Sequence, residues 1–175
     1  MNPINTIARS DIINTAIQKY NSYGSEWEKA YFDEFSGGYN VYHKEHKFSE
    51  KCGGGDAEIT VGKMLARYNG KQVEFLPESS FKKSPDIKID NQTWDIKYID
   101  NASEETIRSA IRDARKADNA IFYFINESKY VFLINAIKRE VGRFLKGQIN
   151  KIPDIYYINK KGFLKLLWEK QKGTN

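Results

Sequence analysis

Two short runs of alternating apolar and polar residues, Asp86-Ile87-Lys88-Ile89 and Thr93-Trp94-Asp95-Ile96-Lys97-Tyr98-Ile99, are separated by little more than the pair Asp90-Asn91. A two-residue turn there closes a β-hairpin and fixes its register, with Ile89 opposite Gln92, Lys88 opposite Thr93, Ile87 opposite Trp94 and Asp86 opposite Asp95. A four-residue loop from Ile89 to Gln92 keeps that register, whereas a bulge or a three-residue turn breaks it. Directly opposed side chains share a face with Cβ atoms about 4.5 to 5.5 Å apart, so two carboxylates stand side by side. Their repulsion calls for a shared proton or a bound divalent cation. Strand alternation puts Lys97 on the face of Asp95 and sends Trp94, Ile96 and Tyr98 to the other. The competing reading is an exposed edge hairpin that its charges keep soluble.

Elsewhere the pattern is helical or strand-like in turn. From Asn5 to Phe35 the apolar residues recur at broadly helical spacing with a break near Tyr23-Gly24, which predicts two helices, the second stopped by Gly37-Gly38. Tyr39-Asn40-Val41-Tyr42 reads as a short strand, and polar Lys44 to Gly55 as a mobile loop or join. Asp56 caps a helix with Ala57, Val61, Met64, Leu65 and Tyr68 on one stripe, ending at Asn69-Gly70. Glu58 lies at the margin of that stripe, where the helix amino terminus favours its ionised form. A strand over residues 72–76 ends at Pro77. After the hairpin, Ser103 caps a helix with Ile107, Ala110, Ile111 and Ala114 inward. The runs Ala120 to Ile125 and Tyr130 to Ile134 predict buried central strands, followed by a helix from Asn135 to Gln148, a strand at Ile155 to Ile158 and a closing helix at Lys161 to Lys170. The class is mixed α/β, with helices packed on a central sheet. Residues 1–55 form an amino-terminal helical and loop extension, and 56–175 the core.

The 175 residues, 40% of them hydrophobic and 14% aromatic, suffice for one domain with its own core. No apolar run reaches the roughly 20 residues that span a bilayer, and the first residues lack a basic stretch followed by an apolar one, so neither anchor nor signal peptide is expected. The lone Cys52 forms no internal disulfide. His43 and His46 lack a second ligand pair for zinc, and Cys52 before three glycines is a plain loop rather than a nucleophile or phosphate cradle. A formal charge of +5 favours a polyanionic partner, nucleic acid first. Arg108, Arg112 and Arg115, with Lys116, recur at i, i+4 and i+7 opposite Ile107 and Ile111 as a basic stripe, which Glu104, Glu105 and Asp113 could instead neutralise.

Glu58 on a helix, Ser84-Pro85-Asp86 before one strand and Asp95-Ile96-Lys97 on the next together resemble the PD-(D/E)xK nuclease superfamily. Within it, Ala57-Glu58-Ile59-Thr60-Val61-Gly62, Leu76-Pro77-Glu78-Ser79, Ser84-Pro85-Asp86, Trp94-Asp95-Ile96-Lys97 and the helix from Ile107 to Asn119 look like the tRNA-cleaving toxin domains at the carboxy ends of contact-dependent growth inhibition proteins. The resemblance spans about Asp56 to Ile134. It implies a restriction-endonuclease-like mixed sheet flanked by helices, and phosphodiester cleavage with a divalent metal, Mg²⁺ first, held by Asp86, Asp95 and Glu58 with the Ile96 carbonyl as a further ligand. Lys97 would stabilise charge on the phosphate, or work with the acids by acid and base chemistry if no metal takes part. The basic stripe would hold the phosphate backbone. It further implies a toxin of bacterial competition or mobile elements, acting on tRNA in the cytoplasm after delivery and matched by a cognate immunity protein. The alternatives are a DNA endonuclease with the same centre and a non-catalytic nucleic-acid-binding module on this fold.

Overall fold

A computed structural model describes residues 3–49, 54–78, 84–99, 103–124, 130–144, 152–158 and 161–170. Cys52, Ile125 and the end of the expected helix beyond Phe144 lie outside the described residues. The chain runs α1 (Pro3–Ser22), β1 (Trp27–Phe32), β2 (Tyr39–His43), α2 (Gly54–Asn69), β3 (Gln72–Phe75), β4 (Ile87–Ile89) and β5 (Gln92–Ile99). It continues with α3 (Glu104–Asp113), a 3₁₀ turn (Ala114–Lys116), β6 (Asn119–Phe124), α4 (Tyr130–Phe144), β7 (Asp154–Ile158) and β8 (Leu164–Trp168). The fold is the expected mixed α/β class.

All eight strands form one sheet in chain order, β1 to β8. The pairs β2/β3, β5/β6 and β6/β7 are parallel, and β1/β2, β3/β4, β4/β5 and β7/β8 antiparallel. Each parallel step is made by a helical crossover, as parallel pairing demands. On one face α2 buries Val61 and Leu65 against Val73, Phe75, Ile87, Ile89, Trp94 and Ile96. On the other, Ile107 and Ile111 of α3 and Leu133, Ala136 and Ile137 of α4 cover Ile99, Phe122, Phe124 and Ile155.

The hairpin forms in the expected register, Ile87 to Trp94, Lys88 to Thr93 and Ile89 to Gln92. Asp90 and Asn91 both have positive φ, 51° and 63°, the conformation that a two-residue turn of matching twist requires and that Asp and Asn tolerate. Lys71 holds the turn through Asp90 at 2.7 Å. The Ser103 hydroxyl accepts the Thr106 amide proton at 3.2 Å, which starts α3 as anticipated.

Three segments depart from the expectation. Residues 27–35 are not a second helix: Trp27 to Phe32 is the edge strand β1, hydrogen-bonded to β2. The i, i+4 recurrence of Trp27, Tyr31 and Phe35 imitates a helix, but these aromatics are also strong strand formers. Gly37, at φ 73°, turns the chain, and a Cβ on Gly38 would collide with the Ala66 carbonyl of α2, so the glycine pair makes a hairpin corner rather than a helix stop. Tyr130 to Ile134 is not a strand but the opening of α4, in which Val131 and Phe132 are exposed while Leu133, Ala136, Ile137 and Glu140 form one buried helical stripe. A short apolar run fits either period, and the residues after it decide. The expected closing helix over 161–170 is instead β8, which pairs Leu164, Leu166 and Trp168 with β7 at the second sheet edge.

Candidate active site

The hairpin places Asp86 one residue before β4, and its backbone continues the ladder: its N–H donates to the Trp94 carbonyl at 3.1 Å and its carbonyl accepts from Leu76 at 3.0 Å. Its side chain then turns across the strand pair, so that Oδ2 accepts the Ile96 amide proton at 2.7 Å. Asp95 and Lys97 share a face with Ile99, toward α3, opposite the α2 face that takes Trp94 and Ile96. Asp95 is fully buried.

Two lysines stand against the two acids. Lys97 Nζ stands 2.5 Å from Asp95 Oδ2 and 3.0 Å from Asp113 Oδ2. Lys116 Nζ stands 2.8 Å from Asp95 Oδ1 and 3.3 Å from Asp86 Oδ1. Charges thus alternate along Asp113, Lys97, Asp95, Lys116 and Asp86. One ammonium group thus lies within 3.3 Å of both aspartates, which brings their carboxylates close together. Lys116 closes the 3₁₀ turn after α3 and reaches the two aspartates, whereas Arg115 of the same turn faces Glu140.

Burial, reinforced by the nearby Asp86 charge, pushes the Asp95 carboxyl up to about 6 even though both lysines favour its ionised form. Burial works to lower Lys97 and Lys116, but the surrounding carboxylates outweigh it and both are raised, so both carry full charge at neutral pH.

Glu58 is placed differently. It sits on α2, and its Oε2 faces His46 Nε2 at 3.4 Å, while His46 Nδ1 faces the Leu76 carbonyl at 2.7 Å. Burial lowers the His46 pKa, but the Glu58 and Leu76 acceptors raise it overall, and the protonated ring satisfies both. Among the described residues no three His, Cys, Asp or Glu side chains converge as a metal-binding set, and the partner that Glu58 faces is His46. The zinc-pair spacing of His43 and His46 hides this contact, and the one signal of it in the sequence is an acid on the helix that follows.

The basic stripe gathers on another unforeseen residue, Glu140 of α4. Arg108 Nε reaches Glu140 Oε1 at 2.9 Å, Arg112 reaches the same oxygen at 2.9 Å, and Arg115 lies 3.9 Å from Oε2. Arg108 also pairs with Glu105 at 2.7 Å. Acids therefore compensate much of the stripe, while Arg112 and Arg115 keep 35% and 30% of their side chains exposed.

Residues 82–164 match the family described as the contact-dependent growth inhibition CdiA C-terminal domain. The matched span is a CdiA C-terminal domain match over the site itself. It holds Asp86, Asp95, Lys97, Asp113, Lys116 and Glu140, and it leaves Glu58 and His46 outside. A chain from a solved structure, the "CdiA-CT/CdiI toxin and immunity complex from Burkholderia pseudomallei", is similar at 16% identity and a TM-score of 0.44, covering 70% of this chain and 94% of that one. No curated protein matches the chain.

Proposed function

We propose that this chain is the toxin domain of a contact-dependent growth inhibition protein and cleaves phosphodiester bonds of tRNA with the help of a divalent metal. The observation that carries the reading is the buried Asp95 beside Asp86, flanked by two ammonium groups, on the CdiA-like part of the chain. The PD-(D/E)xK pattern of Asp86, Asp95 and Lys97 supplies the reaction class.

The residues present fit a hard cation. Both oxygens of the buried Asp95 carboxylate face positive charge, Oδ2 the ammonium group of Lys97 and Oδ1 that of Lys116, which also touches Asp86, so the aspartate pair is arranged to take a cation. Mg²⁺ is held by one or two carboxylates with water making up the rest of its shell, and Asp86 and Asp95 meet that need, with the Ile96 carbonyl as a further oxygen. A metal held there would supply Lewis-acid stabilisation of charge developing on the phosphoryl group. Lys97, fixed between Asp95 and Asp113, offers its ammonium group to the same charge. Phosphate contacts fall to Lys116, Arg112 and Arg115. Glu58, oriented by His46, lies at the margin and shapes the site from the α2 side. Action in the cytoplasm of a recipient cell and neutralisation by a cognate immunity protein follow from the toxin reading; no helix among the described residues is long and apolar enough to cross a membrane.

The test incubates purified protein with total tRNA and with plasmid DNA, in Mg²⁺ or in a chelator. Cleavage of tRNA in Mg²⁺ alone, with the plasmid intact, is the expected result. Cleavage of plasmid but not tRNA would assign DNA as substrate, and two intact substrates under every metal condition would leave a nucleic-acid-binding module in place of a nuclease.

A further inference from the structure

The two site lysines are not equivalent. Lys97 projects from the central strand β5, touches only Asp95 of the aspartate pair, and is held on its other side by Asp113. Lys116 touches both aspartates. Its backbone is pinned, because Ala114 is in the core, the Ala117 N–H donates to the Ala114 carbonyl at 3.1 Å and Asp118 bonds Thr93 on β5. Its side chain is a flexible four-carbon stem with 19% exposure, so the ammonium group has a route to solvent without any backbone change.

An ammonium group bridging two carboxylates occupies the position a divalent cation would take. With Asp113 the cluster holds three carboxylates and two ammonium groups, a formal charge of −1, and a dication added beside both lysines would turn it positive and crowd like charges around the buried Asp95. We propose that Lys116 is a tethered counter-ion that holds the aspartate pair together without metal and is displaced when a divalent ion binds. The inference rests on the metal-dependent reading above. Metal and lysine then compete for the same oxygens, so the metal binds more weakly than the carboxylates alone would allow, in proportion to how often the lysine is out. A displaced Lys116 is left beside the pair with a full charge and no partner, which is where the phosphate of a substrate arrives; metal and substrate binding reinforce each other.

The test measures Mn²⁺ binding by titration calorimetry to the whole chain, as wild type, Lys116→Met, Lys116→Gln, Lys97→Met and Asp95→Asn, each checked for a cooperative melt. The neutral glutamine keeps a polar end beside the carboxylates and serves as the second variant should methionine fail to fold. The expected result is Mn²⁺ binding at least about tenfold tighter in both Lys116 variants, a smaller change in Lys97→Met, and loss of binding in Asp95→Asn. Equal or weaker binding in folded Lys116 variants, with the wild type binding Mn²⁺, overturns the proposal and leaves the nuclease reading standing. No Mn²⁺ binding by any variant removes the metal from the function itself, and this proposal with it.

Discussion

Replacing Asp95 by asparagine yields a protein that has lost cleavage, by about a thousandfold or more, yet unfolds at higher denaturant than wild type above pH 6. The first half follows from the centre acting as a unit, in which removal of one essential member costs nearly all the acceleration. The second follows from the burial of Asp95. Its carboxyl is held at about 6 instead of 3.8, which corresponds to at most about 3 kcal/mol. Because the folded value is the higher one, the folded state binds the proton more tightly than the unfolded chain. The contribution is complete below 3.8 and is lost as the pH rises through about 6. Asparagine imitates the protonated form in shape and removes that penalty, so its advantage grows between pH 4 and pH 6 and then levels off. Urea unfolding across that range checks the slope. A variant less stable than wild type at pH 8 would mean that the lysines depend on the Asp95 charge more than its burial costs.

Glu140 gives the second large effect, on stability rather than chemistry. It is almost fully buried and joins α4 to three arginines of α3 and the turn beyond it. Burial alone would raise its carboxyl, but hydrogen bonds from Arg112 and Arg108 more than reverse that and hold it below the usual value. Glu140→Leu leaves those arginines beside a buried apolar group. Breaking a buried pair from one side costs about 3 to 5 kcal/mol, and the partial exposure of the arginines puts this case near the lower end. A loss of about 3 kcal/mol lowers the melting temperature of a chain this size by roughly 6 to 12 °C. With the folded value depressed, the Glu140 contribution is present above its ordinary 4.5 and disappears as the pH falls below it. Wild type therefore loses this increment on acidification, and Glu140→Gln, already without the charge, does not. Equal acid sensitivity of the two would show that the arginines do not depend on it.

What could be read from the chain alone was what lies close in sequence. The hairpin register, the Ser103 cap and the shared face of Asp95 and Lys97 depend on turn chemistry and the two-residue period, and all three appear in the fold. The misread segments are those where short aromatic or aliphatic runs satisfy both periods, as in Trp27 to Phe35 and Tyr130 to Ile134. There the choice is made by a distant partner, β2 for the first and the covered face of α4 for the second. The candidate site divides the same way. Asp86, Asp95 and Lys97 came from one hairpin. Lys116 follows the arginines in sequence, and nothing local reveals that it reaches Asp86 and Asp95. Glu140 and His46 went unread as site neighbours because their contacts join elements far apart in the chain.

If Asp95 is the centre of the site, cleavage needs it in a protein that is still folded. The measurement is the single-turnover rate of tRNA cleavage in Mg²⁺ for wild type and Asp95→Asn, at equal concentrations of protein shown by unfolding to be native. The site as described predicts rapid cleavage by wild type and a rate lower by at least about a thousandfold in the variant. An Asp95→Asn protein that cleaves as fast as wild type would contradict it and place the chemistry elsewhere on the molecule.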